Sequence, residues 1–271
     1  MLASRHGGID ALVFSTDPAF AGAACRAGAA GVIVDWERRG KRERQAGFDT
    51  QVNADTAADL ARVRAVTAGP VLCRVNGWGP GSDAEIDLAV ALGADELLLP
   101  MVRRPEEVDA ALAVVAGRCR LGILVETTEA VRRAGELLRR PLSRVYVGLN
   151  DLMIDRGGRT VFAALVDGTV DRVRAATPAG LPFGVAGLTL PERGHPVPCR
   201  LVAAELARLD ASFTFLRRSF HTDMAGRDLA VELPRVVGAV AAARRRPAHQ
   251  QAADRAELEA LVGGMLADQA V

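Results

Sequence analysis

Short apolar runs alternate with amphipathic stretches along most of this chain, and that alternation constrains its fold more than any other feature. Eight runs can be distinguished, each too short for a helix and most of them rich in Val, Ile, Leu or Phe, as strands buried on both faces are. In chain order they are ALVFS (11–15), GVIVDWE (31–37), PVLCRVN (70–76), DELLLP (95–100), LGILVE (121–126), RVYVGLND (144–151), LPFGVAG and ASFTFLRRS (211–219). Strands and helices in alternation predict a parallel α/β sheet.

The stretches between the runs carry the signals of helix ends. Asp55 and Thr56 are candidate N-terminal caps of the helix ADTAADLARVRAV, while Gly93 and Gly117 stand where two later helices would stop. Pro234 lies inside DLAVELPRVVGAVAAARRR, where its ring and its missing N–H predict a kink or a restart. Each strand-like run is thus followed by a segment with helical character.

Eight strand–helix repeats predict a closed (β/α)8 TIM barrel. An open doubly wound sheet is the alternative, but STDPAFAGAA after the first run lacks the G-x-G-x-x-G of dinucleotide-binding sheets. We assign residues 1–246 to the barrel. After the basic, helix-breaking RRRPAHQQ, residues 247–271 are expected to form one extra C-terminal helix, which packs on the barrel or reaches a neighbouring subunit.

Composition argues against several classes of partner. The chain has 34 Lys and Arg against 33 Asp and Glu, so its net charge of +1 provides no basic excess for a nucleic acid or an anionic membrane. One Tyr, two Trp and eight Phe are too few for a base-stacking surface. The four cysteines form no C-x-x-C pair, no apolar run approaches the ~20 residues of a membrane span, and no signal peptide is visible. We therefore expect a cytoplasmic protein with reduced cysteines.

Polar residues end several runs, at the position where barrels of this type assemble their chemistry. The second run ends with Asp35-Trp36-Glu37, and strand alternation puts Asp35 and Glu37 on one face. The third ends with Arg74 and Asn76, which likewise share a face. A structural ion-pair network is the alternative for any one of these residues. Four polar run ends together favour a functional site.

The fifth and sixth runs end with Glu126 and with Asn150-Asp151. Adjacent strands lie ~4.8 Å apart, so Glu126 and Asp151 would repel each other unless a cation lay between them. Carboxylate oxygens suit Mg²⁺, and Mn²⁺ or Co²⁺ would accept the same ligands. Histidine ligands are not needed, and the chain has only four histidines. We therefore predict a divalent-metal site with Mg²⁺ as the favoured ion.

Five motifs resemble, in order and spacing, those of the HpcH/HpaI aldolase and citrate lyase β-subunit family, which also joins the malyl-CoA lyases. They are GVIVDWE, CRVNG, GADELLLPMVRRPEEVDAAL, LVETTEAV and YVGLNDLMIDRG, within residues 10–220. The resemblance implies a carbon–carbon lyase or aldolase that acts through the enolate of a 2-oxo acid such as pyruvate or oxaloacetate, with an aldehyde or keto partner. It also implies a homo-oligomer, either a trimer or a hexamer.

The same resemblance implies roles for individual residues. Glu126 and Asp151 match the metal ligands, and Arg74 matches the arginine that binds the substrate's carboxylate or carbonyl oxygen and stabilises the enolate. Asp35 and Glu37 match the acidic pair that organises Arg74 and the metal's waters. The expected substrate-binding residues are Arg74, Asn76, Pro100, Met101, Gly148 and Asn150.

Two departures from the family pattern leave the general acid or base open. Arg38 follows the D-x-E motif where the pyruvate aldolases have a His, and Leu124 stands where they have a Gln. His195 and His221, after the last two runs, are the side-chain candidates, and a metal-bound water is the alternative.

The substrate class is open between two branches of the family. The sequence PMV at the end of the fourth run resembles the aldolases. The absence of the aldolase His and Gln is instead similar to the citrate-lyase and malyl-CoA-lyase branch, whose substrates are acyl-CoA thioesters. A catalytically weakened barrel that serves as a binding or assembly partner is a third reading. A basic cluster after the second run is either a solvated loop or a receiver of substrate carboxylates or phosphates. It consists of Arg38, Arg39, Lys41, Arg42 and Arg44.

Overall fold

The computed structural model describes residues 8–40 and 55–268, and in them eight parallel strands close into one barrel. Each strand pairs with the next in chain order, and the last pairs with the first. The strands are β1 Asp10–Phe14, β2 Gly31–Asp35, β3 Val71–Arg74, β4 Glu96–Leu99, β5 Arg120–Val125, β6 Val145–Val147, β7 Phe183–Leu188 and β8 Phe213–Leu216. The predicted (β/α)8 barrel is confirmed, and the alternative of an open doubly wound sheet is wrong.

Helices surround the barrel. In the described residues they are α1 Pro18–Arg26, α2 Ala57–Val66, α3 Ser82–Ala91, α4 Pro105–Val115, α5 Thr128–Arg132, α6 Ala134–Leu137, α7 Leu149–Asp155, α8 Ala163–Val166, α9 Thr169–Ala176, α10 Cys199–Arg208, α11 Ser219–Asp223, α12 Leu229–Arg244 and α13 Ala248–Asp268. Thr56 caps α2 in a capping box with Asp59. Gly93 and Gly117 follow α3 and α4 with φ of +87° and +73°, a left-handed conformation common where helices end. The predicted restart at Pro234 is wrong: α12 continues through it as one helix, since the proline removes only one hydrogen bond of the ladder.

The sixth apolar run also differs from its prediction. β6 ends at Val147, and the residues that follow form α7 rather than the end of a strand. Leu149, Leu152 and Met153 are buried at spacings of three and four residues, which is the pattern of an amphipathic helix. Asp151 therefore lies in the first turn of a helix and not at a strand end.

Side chains from the inward faces of the strands fill the barrel. This interior cluster consists of Leu12, Ile33, Leu72, Leu98, Leu124, Tyr146, Phe213 and Phe215. Toward the carboxyl ends of the strands, the ring of Tyr146 stacks on Phe215 with centroids 3.8 Å apart, and Phe14 meets Phe215 edge-on at 5.3 Å. We call Phe14, Tyr146 and Phe215 the aromatic floor, because they fill the barrel beneath the polar strand ends.

The opposite end of the barrel holds a buried ion pair that sequence reasoning missed. Glu96, fully buried at the start of β4, accepts two hydrogen bonds from Arg144, from Nε to Oε1 and from Nη2 to Oε2, both 2.7 Å. The Arg144 guanidinium also lies 4.8 Å from the ring centroid of Phe213. Gly122 makes room for it, since a Cβ there would lie 2.7 Å from Arg144 Cγ. Protein side chains of opposite charge thus fill this end.

The C-terminal helix α13 packs against outer helices of the barrel. Its Leu258 and Val262 are buried. Arg255 Nη1 donates to Glu205 Oε1 of α10 at 2.9 Å and to the carbonyl oxygen of Leu165 at 2.8 Å. The expected extra helix is confirmed, whereas its separation from the barrel as a unit beginning at residue 247 stays a prediction. Within the described residues, no helix combines the length and the apolar character that a membrane crossing requires.

Candidate active site

The carboxyl ends of β2 and β3 hold one arginine between two carboxylates. Asp35 and Arg74 are register partners across these strands, and Arg74 donates from Nε to Asp35 Oδ1 at 2.8 Å and from Nη2 to Oδ2 at 2.7 Å. Glu37 Oε2 lies 3.5 Å from Arg74 Nη1. Burial by itself would lower the pKa of Arg74, but the two carboxylates outweigh burial and hold that pKa well above its usual value. The structure thus brings the three predicted residues together, and the two carboxylates hold the Arg74 cation in place.

Glu126 follows β5 and is buried beside the same arginine. Its Oε1 accepts the backbone N–H of Met101 at 2.8 Å. Burial raises the pKa of Glu126 well above its usual value, and the negative charges of Asp151 and Glu37 raise it further. Arg74 acts in the opposite direction. Glu126 and Asp151 therefore lie close enough to repel each other, although the second of them is carried by a helix.

The backbone around Glu126 shapes its carboxylate site. A Cβ on Gly148 would overlap Glu126 Oε2 and lie 2.9 Å from Glu126 Cβ, so a larger residue would displace the carboxylate. Met101, directly after Pro100, has a φ of +55°, which is uncommon for a residue other than glycine. In this conformation its N–H meets Glu126. Gly148 and Met101 thus shape the surroundings of Glu126 through their backbone, and their role in substrate binding stays a prediction.

Asp151 is buried in the first turn of α7. Asp155, one turn further along, links this helix to neighbouring segments. Asp155 Oδ2 accepts the backbone N–H of Thr128 at 2.7 Å, and its Oδ1 accepts Arg103 Nη2 at 3.2 Å. The loop after β4 and the first residue of α5 are thereby joined to α7. Sequence reasoning missed Asp155, although its spacing of four residues from Asp151 was the available signal. Asn150, expected at a strand end, is half-buried in this helix instead.

Asn76 connects the end of β3 to the loop after β2. Its Oδ1 accepts the backbone N–H groups of Arg38 and Arg39 at 2.8 and 2.7 Å. Its Nδ2 donates to Glu85 Oε1 at 2.6 Å. These bonds make Asn76 a support for the Asp35–Glu37 segment, and its role as a substrate ligand stays a prediction.

The described part of the basic cluster contacts backbone oxygens. Arg38 donates to the carbonyl oxygen of Asp55, and Arg39 Nη2 donates to that of Pro80 at 2.8 Å. Asp55, a predicted helix cap, instead accepts the backbone N–H of Asp35 at 2.8 Å, and burial raises the pKa of Asp55. The other members, Lys41, Arg42 and Arg44, lie outside the described residues. The two described arginines anchor the loop, which leaves the substrate-receiver reading a prediction.

Of the two candidate histidines, His221 is attached to the rim of the site. Its Nε2 lies 2.8 Å from the carbonyl oxygen of Phe14, and its ring packs on Phe20 with centroids 4.5 Å apart. Phe14 in turn lies 5.1 Å from the Arg74 guanidinium. His195 is exposed. His195, His221 and a metal-bound water all stay candidates for the general acid or base.

The donor set at this end of the barrel fits a hard divalent cation. Glu126 and Asp151 offer carboxylate oxygens, and a cation would relieve their repulsion. Among residues 8–40 and 55–268, no three His, Cys, Asp or Glu side chains are arranged as a ready ligand set. Mg²⁺ usually takes one or two carboxylates and completes its octahedron with water and substrate oxygens. Two carboxylates are therefore compatible with it.

Solved structures of known proteins share this fold. An HpcH/HpaI aldolase from Desulfitobacterium hafniense matches with a TM-score of 0.62 at 14% identity, over 89% of this chain and 95% of that one. Citrate synthase SbnG matches with a TM-score of 0.60 at 15% identity, over 81% and 91%. A tryptophan synthase from M. tuberculosis matches with a TM-score of 0.56 at 18% identity, over 88% and 94%.

These likenesses show the fold, at identities too low to carry more. The first structure bears the name of the family that the five motifs resemble. No family model and no curated protein matches the sequence. The residues of the site therefore carry the functional argument.

Proposed function

We propose that the carboxyl end of the barrel is the active site of a divalent-metal-dependent carbon–carbon lyase or aldolase that acts on a 2-oxo acid through its enolate. One observation carries the proposal: a single buried guanidinium, Arg74, lies among the carboxyl groups of Asp35, Glu37 and Glu126. A cation fixed in place before the substrate arrives stabilises developing negative charge without a cost of reorganisation.

In the condensing direction, the methyl carbon of pyruvate gives a proton to a base and becomes the nucleophilic carbon of an enolate. That carbon bonds to the aldehyde carbon of the partner, whose carbonyl electron pair moves to oxygen, and this oxygen takes up a proton. Arg74 offers N–H donors to the pyruvate oxygen on which charge develops. Cleavage is the reverse of these steps.

The carboxylates around Arg74 divide into two sets. Asp35 and Glu37 hold the guanidinium in one orientation, which makes them positioning residues. Glu126 and Asp151 are the proposed holders of Mg²⁺, with Mn²⁺ or Co²⁺ as alternatives. A cation bound there would act as a Lewis acid on the substrate carbonyl.

The fold likeness to an aldolase and to a citrate synthase supports this reading, because the named reactions make or break carbon–carbon bonds. The likeness to a tryptophan synthase shows that barrels of similar fold catalyse different reactions, so the proposed reaction must be argued from the residues of the site. The acyl-CoA substrate class, the non-catalytic reading and the trimeric or hexameric assembly stay predictions.

The test is metal-dependent enolisation of pyruvate. Deuterium uptake into the pyruvate methyl group is followed in heavy water with Mg²⁺, Mn²⁺ or Co²⁺, in the wild type and in Glu126→Gln. Glu129→Gln is the matched control, since Glu129 lies on the outer surface and pairs with Arg132 and Arg133.

We expect exchange that requires both a metal and Glu126 and that survives Glu129→Gln. Exchange in Glu126→Gln at the wild-type rate would remove Glu126 from the metal site. No exchange with any of the three metals would contradict the 2-oxo acid proposal and leave acyl-CoA thioesters or a non-catalytic role.

A further inference from the structure

The segments that follow β4 and β5 are joined by successive hydrogen bonds at the carboxyl end of the barrel. The backbone N–H of Met101 donates to Glu126 Oε1 at 2.8 Å. At the next residue of each segment, Thr127 Oγ1 donates to the carbonyl oxygen of Val102 at 2.9 Å, and both residues are buried. The loop after β4 is thereby held against the residues that carry the Glu126 carboxylate.

Asp155 adds a third link to this pair of segments and extends it to α7. Its Oδ2 accepts the backbone N–H of Thr128 at 2.7 Å, and its Oδ1 accepts Arg103 Nη2 at 3.2 Å. The Asp155 side chain is 20% exposed, so these partners and their neighbours cover most of it. Asp155 thus binds the residue after Thr127 and the residue after Val102 with one carboxylate.

These contacts connect the two elements that carry the proposed metal ligands. Asp155 follows Asp151 by four residues, so the two side chains lie one turn apart on the same face of α7. Thr128, which Asp155 binds, follows Glu126 by two residues. Because α7 has only seven residues, a bond that fixes its last residue also restricts the movement of its first turn.

Asp95 makes the same kind of contacts at the opposite end of the barrel. Its Oδ2 accepts the backbone N–H of Val71, the first residue of β3, at 2.8 Å and Arg64 Nη1 at 2.7 Å. Each of the two aspartates therefore binds one backbone N–H and one arginine. They differ in location, because only Asp155 lies between the elements that carry Glu126 and Asp151.

We propose that Asp155 is a positioning residue for the metal site, which fixes the spacing of the Glu126 and Asp151 carboxylates and thereby sets the affinity and size selectivity for divalent cations. The inference rests on the proposed function, because it concerns the metal site of that function. Asp155 acts through Thr128 and the backbone of α7 and does not itself bind the ion.

Size selectivity follows from what each cation requires of its ligands. Mg²⁺ needs a near-ideal octahedron with oxygen atoms at about 2.0–2.1 Å, whereas Ca²⁺ accepts flexible arrangements at about 2.3–2.6 Å. A loss of fixed spacing between two carboxylates therefore weakens Mg²⁺ binding more than Ca²⁺ binding. The loss of a nearby negative charge would instead weaken the binding of both ions alike.

The experiment measures the Kd of Mn²⁺ by calorimetric titration of the purified protein without substrate, and those of Mg²⁺ and Ca²⁺ by competition against Mn²⁺. The variants are Asp155→Ala, which removes both bonds, and Asp155→Asn, which removes the charge but keeps an oxygen for the Thr128 N–H. Asp95→Ala is the matched control, with urea unfolding of all variants as the measure of stability.

In Asp155→Ala we expect the Kd of Mn²⁺ to rise by about 10- to 100-fold, the usual loss when a residue that orients a metal ligand is removed. The Kd of Mg²⁺ should rise by a larger factor than that of Ca²⁺. Asp155→Asn and Asp95→Ala should each keep the Kd of Mn²⁺ within about threefold of wild type, although Asp95→Ala loses stability.

An unchanged Kd of Mn²⁺ in Asp155→Ala would overturn the inference. Equal losses in Asp155→Ala and Asp155→Asn, or equal losses of Mg²⁺ and Ca²⁺, would also overturn it, because they would show an effect of charge. An equal rise of the Kd in Asp95→Ala would overturn it as a general loss of stability.

Two further readouts keep the test decisive. If Asp155→Ala does not fold, Asp155→Glu decides, since it keeps the charge and adds one methylene between α7 and Thr128. An unchanged ratio of the Mg²⁺ and Ca²⁺ affinities in that variant would overturn the inference. Mn²⁺ binding by the wild type without a response to Asp155 would overturn this inference alone, whereas no Mn²⁺ binding by the wild type would overturn the proposed function.

Discussion

Each end of the barrel contains an arginine bound by a buried carboxylate, but the charges around the two pairs differ. At the amino end Arg144 is bound at both sides by Glu96, and at the carboxyl end Arg74 is bound in the same way by Asp35. Both carboxylates are fully buried. The pairs have nearly identical geometry, so geometry alone does not distinguish a structural pair from a functional one.

The two pairs differ in the other charged groups that lie next to them. Glu96 has a further arginine, Arg120, at 3.7 Å, and Asp10 lies close enough to Arg144 to interact with its charge, so the charges of two arginines and two carboxyl groups balance there. Arg74 instead has the additional carboxyl groups of Glu37 and Glu126 around it, and Asp151 interacts in turn with Glu126. A balanced pair fills its end of the barrel, whereas an excess of carboxylates calls for a cation from outside the protein. The surplus of carboxyl groups supports our proposal that the carboxyl end is the active site.

The largest expected effect tests the amino end. Arg144→Met leaves buried Glu96 without its bidentate partner, so the free energy of unfolding should fall by about 3–5 kcal/mol. Urea unfolding measures it. The double variant Glu96→Leu/Arg144→Met should recover part of the loss, because an apolar pair can replace a buried ion pair. A loss of metal affinity in the folded protein would contradict a purely structural role.

The corresponding change at the carboxyl end should act on catalysis. Arg74→Lys keeps a charge but loses the planar fork, so pyruvate exchange should fall by about 10²–10³-fold, equivalent to about 3–4 kcal/mol of transition-state stabilisation. The measurement is the exchange rate at saturating metal, with circular dichroism as the check on folding. Exchange within about threefold of wild type would mean that Arg74, like Arg144, is structural.

Matched glycines sharpen the comparison. Gly148→Ala overlaps the Glu126 carboxylate, so Mn²⁺ affinity should fall by about 10- to 100-fold. Gly122→Ala crowds the stem of Arg144, so it should lower stability by about 1–3 kcal/mol and leave Mn²⁺ affinity unchanged. Calorimetric titration with Mn²⁺ and urea unfolding of both variants distinguish the outcomes. Equal Mn²⁺ affinity in the two variants would contradict the separation of roles.

The smallest expected effect is on how the free energy of unfolding of the metal-free protein depends on pH. The pKa of Glu126 lies well above its usual 4.5 in the folded protein. As pH rises above 4.5, the unfolded chain loses this proton first, so the contribution of Glu126 to stability is lost through the window up to the folded pKa. Glu126→Gln lacks this loss and should gain stability relative to wild type as pH rises from about 5 to 8.

Urea unfolding with a chelator present measures that trend, and saturating Mn²⁺ should reverse it in the wild type. A difference between the two proteins that stays constant over this range would show that the Glu126 carboxyl group is not desolvated in the folded state.

Local periodicity in the sequence was sufficient to predict the fold. Eight short apolar runs and the helix ends at Thr56, Gly93 and Gly117 follow from the preferences of neighbouring residues, and the barrel follows from their order. The residues Asp35, Arg74 and Glu126 could be selected from their positions at strand ends alone, because alternation along a strand is a local property.

Only the tertiary structure decided which distant charges meet. Glu96 and Arg144 begin separate segments and look like ordinary polar boundaries until the barrel closes around them. Arg217 likewise meets the carbonyl oxygens of Gly187 and Val197 only when β8 pairs with β7. Asp151 ends the run RVYVGLND, whose apolar centre predicts a strand, but the packing of α7 overrides that pattern. The physical reason is that backbone preferences act over a few residues, whereas the energy of a buried charge depends on whichever groups the closed barrel places beside it.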